Sequence, residues 1–443
     1  MGRRGRGRRD RPGCSLLTPP WVWSRRMADS DLAQLHLADL HERAAEQGIE
    51  GYRKLSREEL IAALEPDEIP AEGTLIAGDQ EPAVAVDAEG PREADVDEPT
   101  VEVSGILELT RQRFGFLRIA GLHPHPDDVY ISASQVRRCE LRPGDEVAGP
   151  AREPRRDERH RALVHVDRVN GEEPLTEARP RFDALPPTPP DQRLPLDGDA
   201  GNVLLRAIDL LAPLALGQRV LVREAPRSGG ASLLRAIADA AAGARLHVLA
   251  LLFDESSEEA TEWREVMPQI ELGIAGTDLA PRDKIHIAEL ALARARRLAE
   301  AGEDVVVLCD SLSHLALAGG NADEVRRLFG SGRNLAGGGS LTVIGTVLAD
   351  PPDEREAERA VFTTESALIT LDPELAAEGV QPAIAARECR VASEDQLREP
   401  DELETVRRLR SELTDLDPVE ATRVLRERIE DSSSNAELLE RLR

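Results

Sequence analysis

Residues 219–232 read RVLVREAPRSGGAS, and residues 233–242 continue LLRAIADAAA. Val220, Leu221 and Val222 form a short β-branched, apolar run. Pro226, Ser228, Gly229 and Gly230 make a turn, and the Leu/Ala-rich stretch after them is a strong helix former. Strand, glycine-rich turn and helix in this order frame a phosphate-binding loop, G-x-x-x-x-G-K-[ST]. In such a loop backbone amides cradle phosphates, the lysine reaches the β and γ oxygens, and the Ser or Thr holds magnesium. No register of this stretch supplies the lysine. Two readings stand: a degenerate phosphate loop whose helix amides still face an anion, or a plain glycine-rich turn with no ligand.

Working outward, apolar runs alternate with helical segments from Gly201 to about Ser393. LHVLALLF (246–253), DVVVLCD (304–310) and SLTVIGTVL (340–348) read as strands, and 284–301 reads as a long helix. Such runs bounded by helices predict an α/β domain with a parallel sheet covered on both faces. Residues 401–443 are helical and highly charged, which suits a solvated or subunit-contacting pair of helices. Upstream, VEVSGILEL, GFLRIAG, DDVYIS, DEVAG and ALVHVDRV are five short alternating segments between Val101 and Asn170, the pattern of a small closed barrel of the OB type. The expected organisation is a basic arm over 1–30 or a start displaced to Met27, a helical module over 31–66, an acidic linker over 67–100, the barrel over 101–172, a Pro-rich joint over 173–200, the α/β domain over 201–400 and C-terminal helices over 401–443. Ser56 and Glu59 form a capping box in the helical module, and 67–100 has too few apolar residues to repay its chain entropy.

The 443-residue chain carries a net charge of −27, which argues against coating nucleic acid by bulk electrostatics and makes any such contact local. No apolar run is long enough to span a membrane. The four cysteines are scattered, without zinc spacing, and suit a reducing cytoplasm. Aromatic residues are 2% of the chain, yet Phe114, Phe116 and Tyr130 fall within seventeen residues. Phe114 and Phe116, two apart in RFGFLR, leave the same face of a strand beside Arg118. Burial in the barrel is one reading. With Gly115 between them and Arg113 and Arg118 flanking, a surface that stacks bases and holds phosphates is the reading preferred here.

The stretches Gly105-ILELTRQ-RFGFLR, PDDVYISASQVRRCELRPGDEVAG and RALVHVDRVN resemble the RNA-binding cold-shock-like domain of the bacterial transcription termination factor Rho family. Residues 31–65 are similar to that family's N-terminal module, and 201–443 to its RecA-like motor and helical end. The resemblance implies that Phe114, Phe116, Arg118, Asp128, Tyr130 and Glu158 grip pyrimidine-rich single-stranded RNA, with His160 standing where the family has a stacking tyrosine. It aligns the loop as Pro226, Gly229, Gly230, Ala231 and Ser232, with Ala231 at the lysine position and Ser232 at the magnesium position. It makes Glu255 the catalytic glutamate and Asp310 the second magnesium ligand. The implied cofactors are ATP and Mg²⁺. The implied partners are RNA, RNA polymerase, and further subunits in a homo-hexamer or a ring mixed with another Rho, all in the cytoplasm. Four departures stand against a working motor. One pore loop is cut to Gly319–Asp323 without lysine, the other is the acidic 350–358, Gly379 replaces a nucleotide-sensing arginine, and Ala392 replaces the arginine finger, with Arg390 two residues off. The expectation is an RNA-binding Rho-like protein whose ATP hydrolysis is weak or lost. The alternatives are an active RNA-dependent ATPase and helicase with an atypical loop, or an RNA-binding protein whose motor-like part is only a scaffold.

Overall fold

In the computed structural model, β1 (Thr100–Leu109), β2 (Gly115–Arg118), β3 (Val129–Ile131), β4 (Glu146–Arg152), β5 (Ala162–Leu163) and β6 (Arg168–Val169) form one sheet. The structure describes residues 99–156, 158–174, 179–196, 201–319, 322–349, 355–362 and 364–443. The arm, the helical module and nearly all of the acidic linker lie outside these. The pairings β1–β2, β2–β3, β3–β5, β5–β4 and β4–β1 close a five-strand circuit, and β6 hangs on β4. The run ALVHVDRV, expected as one strand, is split between β5 and β6. Alternation fills the barrel: Leu107, Leu117, Val129, Ile131 and Val147 point inward and are fully buried.

The second sheet is built from β7 (Pro187–Thr188), β8 (Arg219–Glu224), β9 (His247–Phe253), β10 (Glu271–Ala275), β11 (Asp304–Asp310), β12 (Arg333–Leu335), β13 (Ser340–Leu348), β14 (Ala367–Thr370) and β15 (Arg390–Val391). Its main order is β10-β9-β11-β13-β8-β14-β15, parallel as far as β14 and antiparallel at β15. Both faces are covered. Val306 and Leu308 join a cluster with Leu233, Ile237 and Trp263, while Val305, Val307 and Cys309 join another with Ile287, Ala291 and Leu315. Burial on both sides is why these strands read as unbroken apolar runs.

The C-terminal segment is three helices, Pro400–Asp415, Pro418–Glu430 and Asn435–Leu442, rather than a solvated pair. Val406, Leu409, Ile429 and Leu438 are buried in the first of those clusters, because their apolar positions recur at helical spacing. Arg206, 1% exposed on the helix Val203–Leu211, ties them down. Its Nη1 donates to Ile429 O and Ser432 O (2.8 Å each), and its Nη2 donates to Ser432 Oγ (2.7 Å).

The barrel rides on the long helix Pro281–Glu300. Gly144, at φ +82°, lies so close that a Cβ there would fall 2.3 Å from Arg294 N, so only glycine permits the approach. Two ion pairs flank this contact: Arg142 Nη2 to Glu300 Oε2 (2.7 Å) and Arg294 Nη2 to Glu146 Oε2 (3.0 Å). A cleft is left between barrel and helix.

Candidate nucleic-acid interface and phosphate loop

Strand register builds the barrel side of that cleft. Glu108 on β1 stands opposite Phe116 on β2, which stands opposite Tyr130 on β3, all on the outer face. Phe114 sits just before β2 rather than within it, where its carbonyl accepts Thr110 N–H (2.8 Å) and closes the hairpin. The rings gather: Phe114–Phe116 centroids are 6.0 Å apart, Phe114–Tyr130 5.6 Å, Phe116–Tyr130 6.2 Å and Phe116–His160 5.1 Å. Phe114 and Phe116 are 5% and 6% exposed, yet neither belongs to the barrel's apolar core. They pack with Tyr130 and His160 on its outside.

Arg118 closes one edge. It donates from Nε to Glu108 Oε2 (2.6 Å) and from Nη1 to Asp128 Oδ2 (2.5 Å), with its guanidinium carbon 5.8 Å from the Phe116 centroid. Burial works against its charge, but Glu108 and then Asp128 outweigh burial and hold its pKa above the ordinary value. Asp128 is 1% exposed, and its oxygens also accept Ile119 N–H (3.2 Å) and His125 N–H (2.8 Å). Asp128 therefore holds Arg118 in place at the edge of the cleft that it lines. Glu158 is likewise engaged, bidentate on Arg152 (2.6 and 2.7 Å), which holds its carboxyl below the usual range. Phe116, Arg118, Asp128 and His160 face Arg282 and His286 of the long helix across a cleft of about 610 Å³. Glu108 was not anticipated from sequence. Its only signal is an outward position in β1, which becomes informative once the partner strand is known.

The phosphate loop is assembled differently. The chain leaves β8 at Glu224, turns through Arg227 (φ +67°) and Gly229 (φ +109°), and enters the helix Gly230–Gly243. Pro226 and Ser232 are exposed, and Ala231 is half-buried. Glu224, 7% exposed and absent from the sequence reading, turns its carboxylate back into the loop. Its Oε2 accepts Gly230 N–H (2.9 Å) and Ser228 O–H (3.4 Å). Asp310, at the end of β11, accepts Thr346 O–H (2.8 Å) and is held above its ordinary pKa by burial. Glu255 follows β9. Burial first, then the charge of Asp310, pushes Glu224 and Glu255 each up to about 7.

Three strand ends thus bring carboxylates together, and the positive charge that reaches Glu255 and Asp310 comes from Arg235, with His314 also acting on Asp310. Lys284, the sole lysine of the described residues, pairs with Asp254. Arg235 pairs with Glu259 and Glu262 and lies 5.8 Å from the Trp263 centroid. Arg390 is held by Glu365 (2.6 Å) and by the ring of Phe362. Gly379 has φ +70° after the helix Pro373–Ala377, and Ala392 follows β15. Of the stretches 319–323 and 350–358, residues 320–321 and 350–354 lie outside the described residues. A magnesium nucleotide needs cations facing its phosphates, and here Lys284 and Arg235 are each already engaged by a carboxylate.

Comparison with known proteins places these pieces. Residues 103–175 match the RNA-binding domain of Rho termination factor, residues 31–65 its N-terminal domain, and residues 205–327 the nucleotide-binding domain of the ATP synthase alpha/beta family. Transcription termination factor Rho of Streptomyces lividans is 36% identical over 372 residues, 77% of this chain and 52% of that relative. The Bacillus subtilis (strain 168) protein of the same name is 32% identical over 415 residues, 87% of this chain and 90% of the relative. That of Aquifex aeolicus is 33% identical over 366 residues, 76% and 84%. Among the described residues no helix is long and apolar enough to cross a membrane. The aromatic barrel, the parallel sheet and these matches over most of its length agree, and the chain belongs to the Rho family of transcription termination factors.

Proposed function

We propose that this chain binds single-stranded, pyrimidine-rich RNA in the barrel cleft and acts in transcription termination or its regulation, with ATP hydrolysis weak or lost. The observation that carries the proposal is a contrast between the two sites. The aromatic cleft is assembled around a charged guanidinium, while the strand-end site gathers Glu224, Glu255 and Asp310 with no lysine facing them. Phe116 and His160 line the cleft and turn ring surface toward unpaired bases, with Tyr130 packed behind Phe116. Arg118, fixed by Glu108 and Asp128, presents N–H groups to a base edge or phosphate without having to be ordered at the moment of binding. Arg282, exposed on the long helix, adds a cation at the opposite wall. If magnesium binds, Ser232 and Asp310 are the residues placed by resemblance to hold it, and Glu255 to orient water.

By the same resemblance the protein works in the cytoplasm, in a homo-hexamer or a ring mixed with another Rho, in contact with RNA polymerase. A ring carrying inert subunits would bind RNA and dilute the motor of an active partner. The second reading, an active RNA-dependent ATPase and helicase, is favoured by one feature: Asp310 closes its strand and Glu255 follows the neighbouring one, both at the carboxyl ends where such chemistry is done. Anisotropy of a labelled cytosine-rich RNA titrated with the full chain tests the main reading. Binding of the single strand in clear preference to a duplex of the same sequence is expected. Equal or absent binding contradicts it.

A further inference from the structure

We infer that Glu224 is a built-in occupant of the phosphate loop, seating its carboxylate where a nucleotide's phosphate would sit and so excluding nucleoside di- and triphosphates. This rests on the reading of a lost motor and gives that loss a second, independent cause besides the missing lysine.

The geometry is specific. A fourteen-residue helix, Gly230–Gly243, begins in the loop after Gly229, an N-cap residue with no side chain to satisfy its first amides. Those amides carry the positive end of the helix dipole and attract an anion. The group that arrives is the chain's own carboxyl: Glu224 Oε2 lies 2.9 Å from Gly230 N and 3.4 Å from Ser228 Oγ, and the residue is 7% exposed. Its backbone is fixed on the other side, where Glu224 O accepts Ala349 N–H at 2.7 Å from the end of β13. Gly230 completes the fit. A Cβ at that position would fall 2.1 to 2.3 Å from the atoms of the Glu224 carboxylate, so the carboxylate occupies space that any side chain there would need. A phosphate entering the loop must break the Gly230 contact, displace a carboxyl group packed close to the loop backbone, and approach the carboxyl groups of Glu255 and Asp310. The apparent affinity for nucleotide falls by the fraction of molecules in which Glu224 has swung out.

The test measures binding of a fluorescent ADP with Mg²⁺ to the full chain, and ATP turnover on the same preparations. Weak binding by wild type is expected. Glu224→Ala should bind about tenfold tighter or better, the worth of one hydrogen bond withdrawn from competition. Glu224→Gln keeps shape and packing, guards against a folding failure, and should fall between the two. RNA affinity at the barrel should be the same in all three proteins. Folded variants that bind ADP no tighter than wild type overturn the inference and leave the lost motor standing on its missing lysine. Micromolar binding by wild type also overturns it. A Glu224→Ala protein that both binds and hydrolyses ATP supports the occupant and sinks the reading that the motor parts are gone.

Discussion

Replacing Glu224 by Gln should stabilise the protein at alkaline pH and leave it nearly unchanged in acid. Folded, Glu224 keeps its proton up to about pH 7, because burial and then the charge of Asp310 oppose ionisation; unfolded, it releases the proton at its ordinary value of 4.5. Between those values the folded state binds more protons, so the neutral acid's contribution to stability is intact below about pH 4.5 and is lost as pH rises through 7. A displacement of that size is worth about 3 kcal/mol once both states are ionised. The Gln variant has nothing to ionise, and its amide oxygen can still accept Gly230 N–H. Its advantage over wild type should therefore grow by about 2–3 kcal/mol between pH 4.5 and pH 8, as Asp310 and Glu255 relax once their neighbour is neutral. Urea midpoints of both proteins across that range measure it. A stability difference that is flat with pH, or that shrinks toward pH 8, would refute the burial of Glu224 beside Asp310.

Phe116→Ala should weaken binding of cytosine-rich RNA by about 1–3 kcal/mol, the usual worth of a base–aromatic stack, as read by anisotropy; unchanged affinity in a folded barrel would make the rings mere packing. Arg206→Ala should cost about 3 kcal/mol or more, because it strands the carbonyls of Ile429 and Ser432 and opens a cavity under the C-terminal helices. Limited proteolysis should then release residues after 400 first, and uniform resistance would contradict that anchoring role. Ala231→Lys alone should leave ATP turnover at background, since the positions that the resemblance assigns to the arginine finger and the sensor stay at Ala392 and Gly379. Robust turnover from that one change would show the remaining machinery intact.

Much of the architecture could be read from local pattern. Arg219–Glu224, Asp304–Asp310 and Ser340–Leu348 coincide with their apolar runs because strands buried on both faces need no polar alternation. Glu271–Ala275 lies at the outer edge of the sheet, where a short run, ELGIA, carries too little signal to separate strand from loop. Residues 162–169 alternate like one strand, yet they pair with β3 and β4 at one end and β4 alone at the other, a division set by barrel closure. The aromatic face of the cleft was legible because Phe114, Phe116 and Tyr130 stand out in a chain poor in rings. Their mutual burial was not, since it comes from register between strands. Glu224 was invisible for a related reason. At a strand end a glutamate reads as a solvated terminus, and its inward turn depends on Gly230 lacking a side chain and on carboxylates delivered by two other strands.

ATP turnover by the full-length protein, with and without saturating cytosine-rich RNA, tests the central claim most directly. With three carboxylates and no free lysine at the strand ends, the charge that builds on the transferred phosphoryl group has too few cations to stabilise it, and hydrolysis should stay at background whether or not RNA is bound. RNA-stimulated turnover at about 1 s⁻¹ or above, the range of working phosphoryl-transfer enzymes, would contradict the account.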